Sequence, residues 1–540
     1  MELLRHLMGW QSQEPTKVPT DTVIPLPRLP PYHFHKVELV LKFDRVLDPD
    51  KLRGSLDRLL EMGNWRQLGG RLRRRKVGKL VSGTRTEIRL SSILKKLQDD
   101  PKNESFELHV PGEFTAERPA YRYTTSVEDC MISDHPVASK FPAATSGISI
   151  VNLRDLLRPL INRSGLPLTA KDWVCSDYGA LFFEQINFLD ASLILIMFPH
   201  HLMDMTGFGI FVKSWVAVLH GREADVLPLA SFSYSLLDAL ADKTPADRYI
   251  WYNHLVKWPG TLLLTARALW GALWGKEERL ICIPGSLLDK MRDEAIKELA
   301  VSEVPPYIGH NHSVGDKVLE EPALSKPLSF VSHSDVLVAW FTRLAASAAS
   351  PSPATPLVLS NSFDIRPFAL PSDAAYLMNS VCTAYTILPI SKVLSQPISF
   401  LAAQLRHALD RERTMEQIEA RYAWAKHVGF MSPIGSANML QCIVTNWNKA
   451  GLFHLDFSPA VVDRTASSSG GAQSPAGGPC VASGFCNTSP LIRMLPNCGV
   501  ILGRDSQGNW WMQWFLPRSS WAEIEKRLQL LSETVDSPAK

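Results

Sequence analysis

The apolar positions of the chain first fall into a regular spacing in FDRVLDPDKLRGSLDRLLEMG. Leu52, Leu56, Leu59 and Leu60 recur at three- and four-residue intervals and predict one buried face of a helix. Asp48 is placed to cap it, Pro49 suits its first position, and Gly63 ends it. The next stretch, GGRLRRRKVGKLVSG, reads as strand and turn. Between residues 99 and 170 prolines are frequent and no clean period emerges. The pattern sharpens in ALFFEQINFLDASLILIMFPHH, which predicts two strands joined by a turn near 189–192. The second strand, Leu193 to Phe198, is apolar on both faces, as a buried strand should be. Behind it Phe208, Phe211, Val212, Trp215, Val216 and Leu219 trace an amphipathic helix closed by Gly221.

Residues 222 to about 300 hold proline-broken helical segments and read as a long connection. A second αβ region begins near Leu328. Ser332 and Asp335 have capping-box spacing ahead of HSDVLVAWFTRLAA, and PLVLSNSFDIRP reads as a strand. ISFLAAQLRHALDRERTMEQIEARYAWAK is helical over much of its length, and SSSGGAQSPAGG, 467–478, is a flexible low-complexity insertion. The hairpin GVILGRDSQGNWWMQWFL follows, and Ser520 with Glu523 is placed to cap a last helix through Leu531. No short repeat is present. The expected organisation is an N-terminal domain over 1–225, a connection over 226–300, and a C-terminal domain over 301–540.

Composition narrows the class. A chain of 540 residues, 45% hydrophobic and 21% charged, is an ordinary soluble globular protein of more than one domain. A net charge of +3 gives no steering toward nucleic acid. The basic run Arg71-Leu72-Arg73-Arg74-Arg75-Lys76 reads as a solvated strand or loop edge, with a phosphate contact as the lesser reading. The 8 cysteines contain no CxxC pair, which points to reduced thiols rather than a disulfide scaffold or zinc knuckle. MELLRHLMGWQSQEP lacks a signal-peptide core, so a cytoplasmic protein is expected. TLLLTARALWGALWG, 261–275, is too short for a bilayer span and carries Arg267 in its middle. It reads as a helix packed on the protein or lining a greasy channel, with peripheral membrane contact as the alternative.

The candidate chemistry lies in PHHLMDMTG, 199–207, where the buried strand hands over to the helix and both flanking elements are rigid. His200 stands four residues before Asp204, His201 three. With 15 histidines in the chain, about one His-x-x-x-Asp arises by chance, so the spacing alone favours an inert hydrogen-bonded strand end. A metal site would need a third ligand, for which His310 and His312 in GHNH are the available donors.

Several ordered segments together resemble the BAHD superfamily of coenzyme-A-dependent acyltransferases, in its fungal, trichothecene acetyltransferase-like branch. FPHHLMDMTGFGIF resembles the family's HxxxDG segment. NSFDIRPFALP is similar to its strand carrying an arginine before a proline-rich turn, and AAYLMNSV to the segment with an asparagine that follows. VTNWNKAGLFHLDFSPA resembles the stretch ending in the DFGWG box. Met205 replaces the glycine after the aspartate, and DFGWG is reduced to Asp456-Phe457-Ser458-Pro459-Ala460.

The resemblance implies an α/β, two-domain chloramphenicol-acetyltransferase-like fold, mixed sheets flanked by helices, with an active-site channel between the domains. It selects His200 as the base, since His201 would need an aspartate at 205. It implies that Asp204 pairs with Arg366 as a structural brace, although a catalytic dyad with His200 is the other role open to it. Asp456 is implied to be structural too, and Thr445 and Trp447 become candidates for oxyanion or substrate contact. The co-substrate would be an acyl-CoA, with acetyl-CoA as the donor the resemblance implies, and with no bound cofactor and no metal. The acceptor would be a hydroxylated hydrophobic secondary metabolite, the enzyme a monomer without nucleic-acid partner or membrane span. No GxSxG elbow is present, so direct transfer in a ternary complex is expected. An amine acceptor, a catalytically silent ligand-binding relative and a metal-dependent hydrolase are the competing readings.

Overall fold

The structure, a computed structural model, describes residues 14–27, 36–75, 105–145, 147–152, 160, 167, 170–273, 275–301, 330–371, 373–429, 432–462, 479–487 and 497–535. The 467–478 insertion and the GHNH histidines lie outside these residues.

A small sheet of β1 (Thr22–Pro25), β3 (Arg71–Arg75) and β4 (Ser105–Val110) flanks the N-terminal half, in the order β1-β4-β3. The half is built around a five-stranded sheet of β2 (Lys36–Phe43), β5 (Tyr121–Val127), β7 (Leu181–Asn187), β8 (Ser192–Pro199) and β13 (Gly484–Asn487), in the order β13-β2-β8-β7-β5. Every residue of β8 is buried, which accounts for a strand apolar on both faces. Helix α1 (Pro49–Glu61) is capped by the Asp48 carboxylate, which accepts from the amides of Asp50 and Lys51, and buries the predicted leucine stripe. Helix α2 (Met205–Leu219) crosses it, and the Trp215 indole N–H donates to Leu52 O (3.1 Å) and Ser55 Oγ (2.9 Å).

The second half carries a seven-stranded sheet of β6 (Ser149–Asn152), β9 (Lys276–Ile283), β10 (Pro356–Asp364), β11 (Val381–Pro389), β12 (Leu440–Asn446), β14 (Cys498–Arg504) and β15 (Trp510–Pro517). Its order is β11-β10-β12-β14-β15-β9-β6. Helix α3 (Gly260–Leu273) and helix α4 (Gly285–Val301) flank β9 in the chain. Helix α5 (His333–Ala349), helix α6 (Ile398–Glu412) and helix α8 (Arg518–Val535) share a core with the sheet, with Phe341, Leu401, Trp514 and Trp521 inside it; helix α7 (Met415–Val428) follows α6. The capping box at the start of α5 forms as the spacing predicts: Ser332 and Asp335 bond each other's backbone.

The halves exchange strands. β6, from the first 225 residues, pairs with β9, while β13, from near the C-terminus, pairs with β2. Each is four residues long, too short to show a period. The last helix begins at Arg518, directly after β15, so Ser520 lies in its first turn instead of capping it. The basic run is also corrected. Arg71 and Arg73 are buried because backbone carbonyls close over them: Arg71 donates to Gly69 O (2.6 Å) and Pro119 O (2.8 Å), and Arg73 to Ser176 O (2.7 Å) and Asp177. Burial pulls Arg71 down to about 10, against the pull of Asp177. All eight cysteines are free thiols.

Candidate active site

β8 ends at Pro199, and the chain turns through His200 and His201 before α2 begins at Met205. Asp204 is the N-cap of that helix. Its Oδ1 accepts from Gly207 N (2.8 Å), satisfying an amide that the helix cannot. The same oxygen accepts from Arg366 Nη2 (2.9 Å), and Oδ2 accepts from Ser380 N (2.8 Å). Both carboxylate oxygens are therefore taken by groups other than the His200 ring.

Arg366 is held as firmly. It donates to Asp364 Oδ1 (2.8 Å), Tyr376 O (2.8 Å), Leu377 O (3.2 Å) and Met378 O (2.7 Å). Burial alone would lower its pKa, but the Asp204 and Asp364 charges outweigh it and the guanidinium is raised above its ordinary value. Gly207 allows the first turn of α2 to sit against this segment backbone to backbone. A Cβ there would lie 2.0 Å from Leu377 O. Asn379, from the same segment, donates its Nδ2 to His200 O (2.8 Å).

His200 faces a cavity of about 510 Å³ walled by both halves. One wall carries Lys36, His200 and Met205; the other carries Ser362, Thr445 and Trp447. Burial is the largest influence on the His200 ring and lowers its pKa, while Asp204 and Asn379 pull the other way. The imidazole is thus neutral at neutral pH and can accept a proton. His201 turns away. It is buried, and its ring packs edge-on to Phe106 with centroids 4.8 Å apart.

The structure brings His200, Thr445 and Trp447 to one cavity and joins Asp204 to Arg366. Asp456 stands apart from the cavity lining. It accepts from Ser458 N (2.9 Å) and Cys480 N (2.8 Å), and His220 Nε2 bonds its carbonyl (2.8 Å), tying the 456–460 turn to the end of α2. Burial tends to raise its pKa, but these amides outweigh it and hold the carboxyl below the usual range.

Sequence reasoning missed Asp364, Ser380 and Lys36. Asp364 stands two residues before Arg366, a spacing that could have flagged it. Lys36 is buried in the cavity wall and bonded to Glu38 (2.9 Å), an alternating polar pair inside an apolar strand. Two thiols also line the cavity, and burial raises Cys382 to about 11 and Cys498 to about 12, so neither is a ready thiolate. Among the described residues no group of three or more His, Cys, Asp or Glu side chains is placed to hold a metal ion.

No family model matches the chain. It is 44% identical over 536 residues to the O-acyltransferase ausP of Aspergillus calidoustus, covering 99% of this chain and 100% of that protein. The O-acyltransferase pboC of Aspergillus ustus is 36% identical over 502 residues, covering 92% of this chain and 96% of that protein. At 28% identity over 530 residues, covering 96% of this chain and 97% of that protein, a Penicillium decumbens protein, calD, is named a transcriptional regulator. Among solved structures, F. graminearum TRI101 complexed with ethyl coenzyme A has a TM-score of 0.60 at 12% identity, covering 94% of this chain and 97% of that one. Vinorine synthase has a TM-score of 0.55 at 13% identity, covering 96% and 95%. These likenesses in structure show the fold, the two-domain chloramphenicol-acetyltransferase-like arrangement.

Proposed function

Because the chain belongs to the fungal O-acyltransferase branch of the BAHD superfamily, we propose that it transfers an acyl group, acetyl in the simplest case, from an acyl-CoA to a hydroxyl of a hydrophobic secondary metabolite. The observation that carries the mechanism is a neutral His200 facing a cavity between the halves, mounted on a turn whose carboxylate is fully engaged elsewhere. His200 takes the acceptor's hydroxyl proton as its oxygen attacks the thioester carbonyl. The tetrahedral oxyanion is met by the Thr445 hydroxyl and the Trp447 indole N–H. Collapse breaks the carbon–sulfur bond, and the proton passes from His200 to the departing thiolate. Asp204 and Arg366 act as the brace, and Asp456 shapes a turn away from the chemistry. Thiols held protonated favour direct transfer in a ternary complex over an acyl-enzyme.

The remaining parts of the reading rest on coarser support. The N-terminal acyltransferase domain spans 1–225, the connection 226–300 and the C-terminal domain 301–540, with two strands exchanged between the halves. Among the described residues no helix is long and apolar enough to cross a membrane. The proposed enzyme is a monomer acting in the cytoplasm on small molecules; the small net charge of +3 gives no steering toward nucleic acid, and the free thiols fit a reducing compartment.

The test is incubation with acetyl-CoA and panels of hydroxylated and amine-bearing pathway extracts, following released thiol. His200→Ala should lower turnover by about 10² to 10⁴ with the fold intact. Turnover that survives the substitution removes the mechanism. A wild-type protein that binds the extracts without releasing thiol is instead the silent relative.

A further inference from the structure

Helix α3 leaves part of its apolar surface facing water. Leu264 packs against the small core that contains Val256 and Trp424, while Arg267, itself exposed, ties the helix to the 437–439 segment. Its guanidinium donates to Ala437 O (3.1 Å) and Met439 O (3.2 Å). The apolar residues point outward. Leu262 is 48% exposed, Leu263 49% and Trp270 63%, with Trp258 in the lead-in 70% exposed. Leu262, Ala266 and Trp270 stand at i, i+4 and i+8, a single ridge along a 14-residue helix, with Leu263 beside it. An exposed apolar ridge of this kind marks a contact with something apolar.

The charge around the ridge says which apolar partner. From Leu255 to Lys276 there is no acidic residue, while Lys257 and Arg267 are exposed cations. Tryptophans at the edge of an apolar face, with cations beside it, suit the boundary between headgroups and acyl chains of an anionic bilayer. The ridge also joins the cavity wall. Val256 N donates to Pro433 O (2.9 Å), Leu255 bridges Ile434, and both Pro433 and Ile434 line the cavity that holds His200.

We propose that helix α3 and its lead-in, through Trp258, Leu262, Leu263 and Trp270, dock the protein in the plane of an anionic phospholipid surface. The helix lies in the interface and does not span it. A membrane-dissolved acceptor then enters beside the docked face; that consequence rests on the acyl-transfer reading, whereas the docking does not.

The experiment is co-sedimentation of the full chain with phosphatidylcholine vesicles, with and without phosphatidylserine, alongside light scattering. Wild type should sediment with the phosphatidylserine vesicles, more weakly without the anionic lipid, and less at high salt. Leu262→Glu with Leu263→Glu should lower the partition coefficient on the order of a hundredfold at an unchanged circular-dichroism melt. Leu262→Ser with Leu263→Ser keeps the test valid should the charged pair misfold. Wild type that fails to sediment, or variants that sediment as well as it does, overturns the docking. So does a wild-type dimer that the variants split, which would give the ridge to a second copy. None of these failures touches thiol release, so the two proposals fail separately.

Discussion

Removing the Asp204 carboxylate separates a brace from a catalytic dyad. In Asp204→Ala, α2 loses its cap on Gly207 N, worth about 1 kcal/mol. Ser380 N loses the Oδ2 acceptor 2.8 Å away, about 1–3 kcal/mol for a buried amide left unbonded. Arg366 loses one of two carboxylates; breaking a buried pair costs about 3–5 kcal/mol, reduced here because Asp364 stays 2.8 Å away. One side chain serves all three contacts, so the costs do not add, and the expected total is about 4–6 kcal/mol. That is a large share of a total stability of about 5–15 kcal/mol. Asp204→Asn keeps one acceptor oxygen but turns an amide N–H toward donors, at about 2–3 kcal/mol. The assay is a thermal melt of both variants beside their turnover per folded molecule. Melting should fall by about 2–3 °C in Asp204→Asn and further in Asp204→Ala. Turnover of the folded Asn variant should stay within about tenfold of wild type, whereas loss of a dyad carboxylate costs on the order of 10⁴. An Asn variant that melts like wild type but loses turnover a thousandfold or more would refute the brace.

Burial lowers the His200 pKa, so the imidazole stays neutral to lower pH than a free histidine, and the acid limb of kcat/KM should fall below about 6.5. The same shift makes the unfolded chain bind more protons on acidification. This group therefore costs stability as pH falls through the unfolded value, and an acid limb above pH 7 would contradict the assignment. Gly207→Ala should cost about 3 kcal/mol or more, seen as a lowered melt, because its Cβ would meet Leu377 O at 2.0 Å; a melt equal to wild type would mean the segment can retreat. Iodoacetamide at neutral pH should leave thiol release intact, since burial keeps Cys382 and Cys498 protonated. A burst of product with trapped acyl-protein would contradict direct transfer.

How much was legible follows the range of each interaction. The caps of α1 and α5 could be read because Asp48 and Ser332 act within three residues of themselves. The buried strand β8 and the stripe of α2 could be read because burial repeats at a fixed period. Arg366 lies 162 residues from Asp204, and no local pattern ties them; only the resemblance suggested the pair. Arg71 and Arg73 misled because a basic run ordinarily marks a wet edge, and the carbonyls that cover them come from Pro119 and Ser176, far along the chain. The spacing of Ser520 and Glu523 was a valid cap signal. It lost because β15 leads straight into the helix, leaving Ser520 inside the first turn.

The local geometry demands one residue without a side chain where α2 meets the 376–380 segment, and Gly207 meets that demand. Met205, where the family has glycine, sits at the first helical position, buried and lining the cavity. Four contacts that fix the His200 turn run from it and α2 to the segment between β10 and β11: Asn379 to the His200 carbonyl, Ser380 and Arg366 to Asp204, Leu377 against Gly207. The base is therefore mounted by the first half of the chain and locked by the second. Loosening the lock from the far side, as Arg366→Met would, should lower turnover and the melting temperature together.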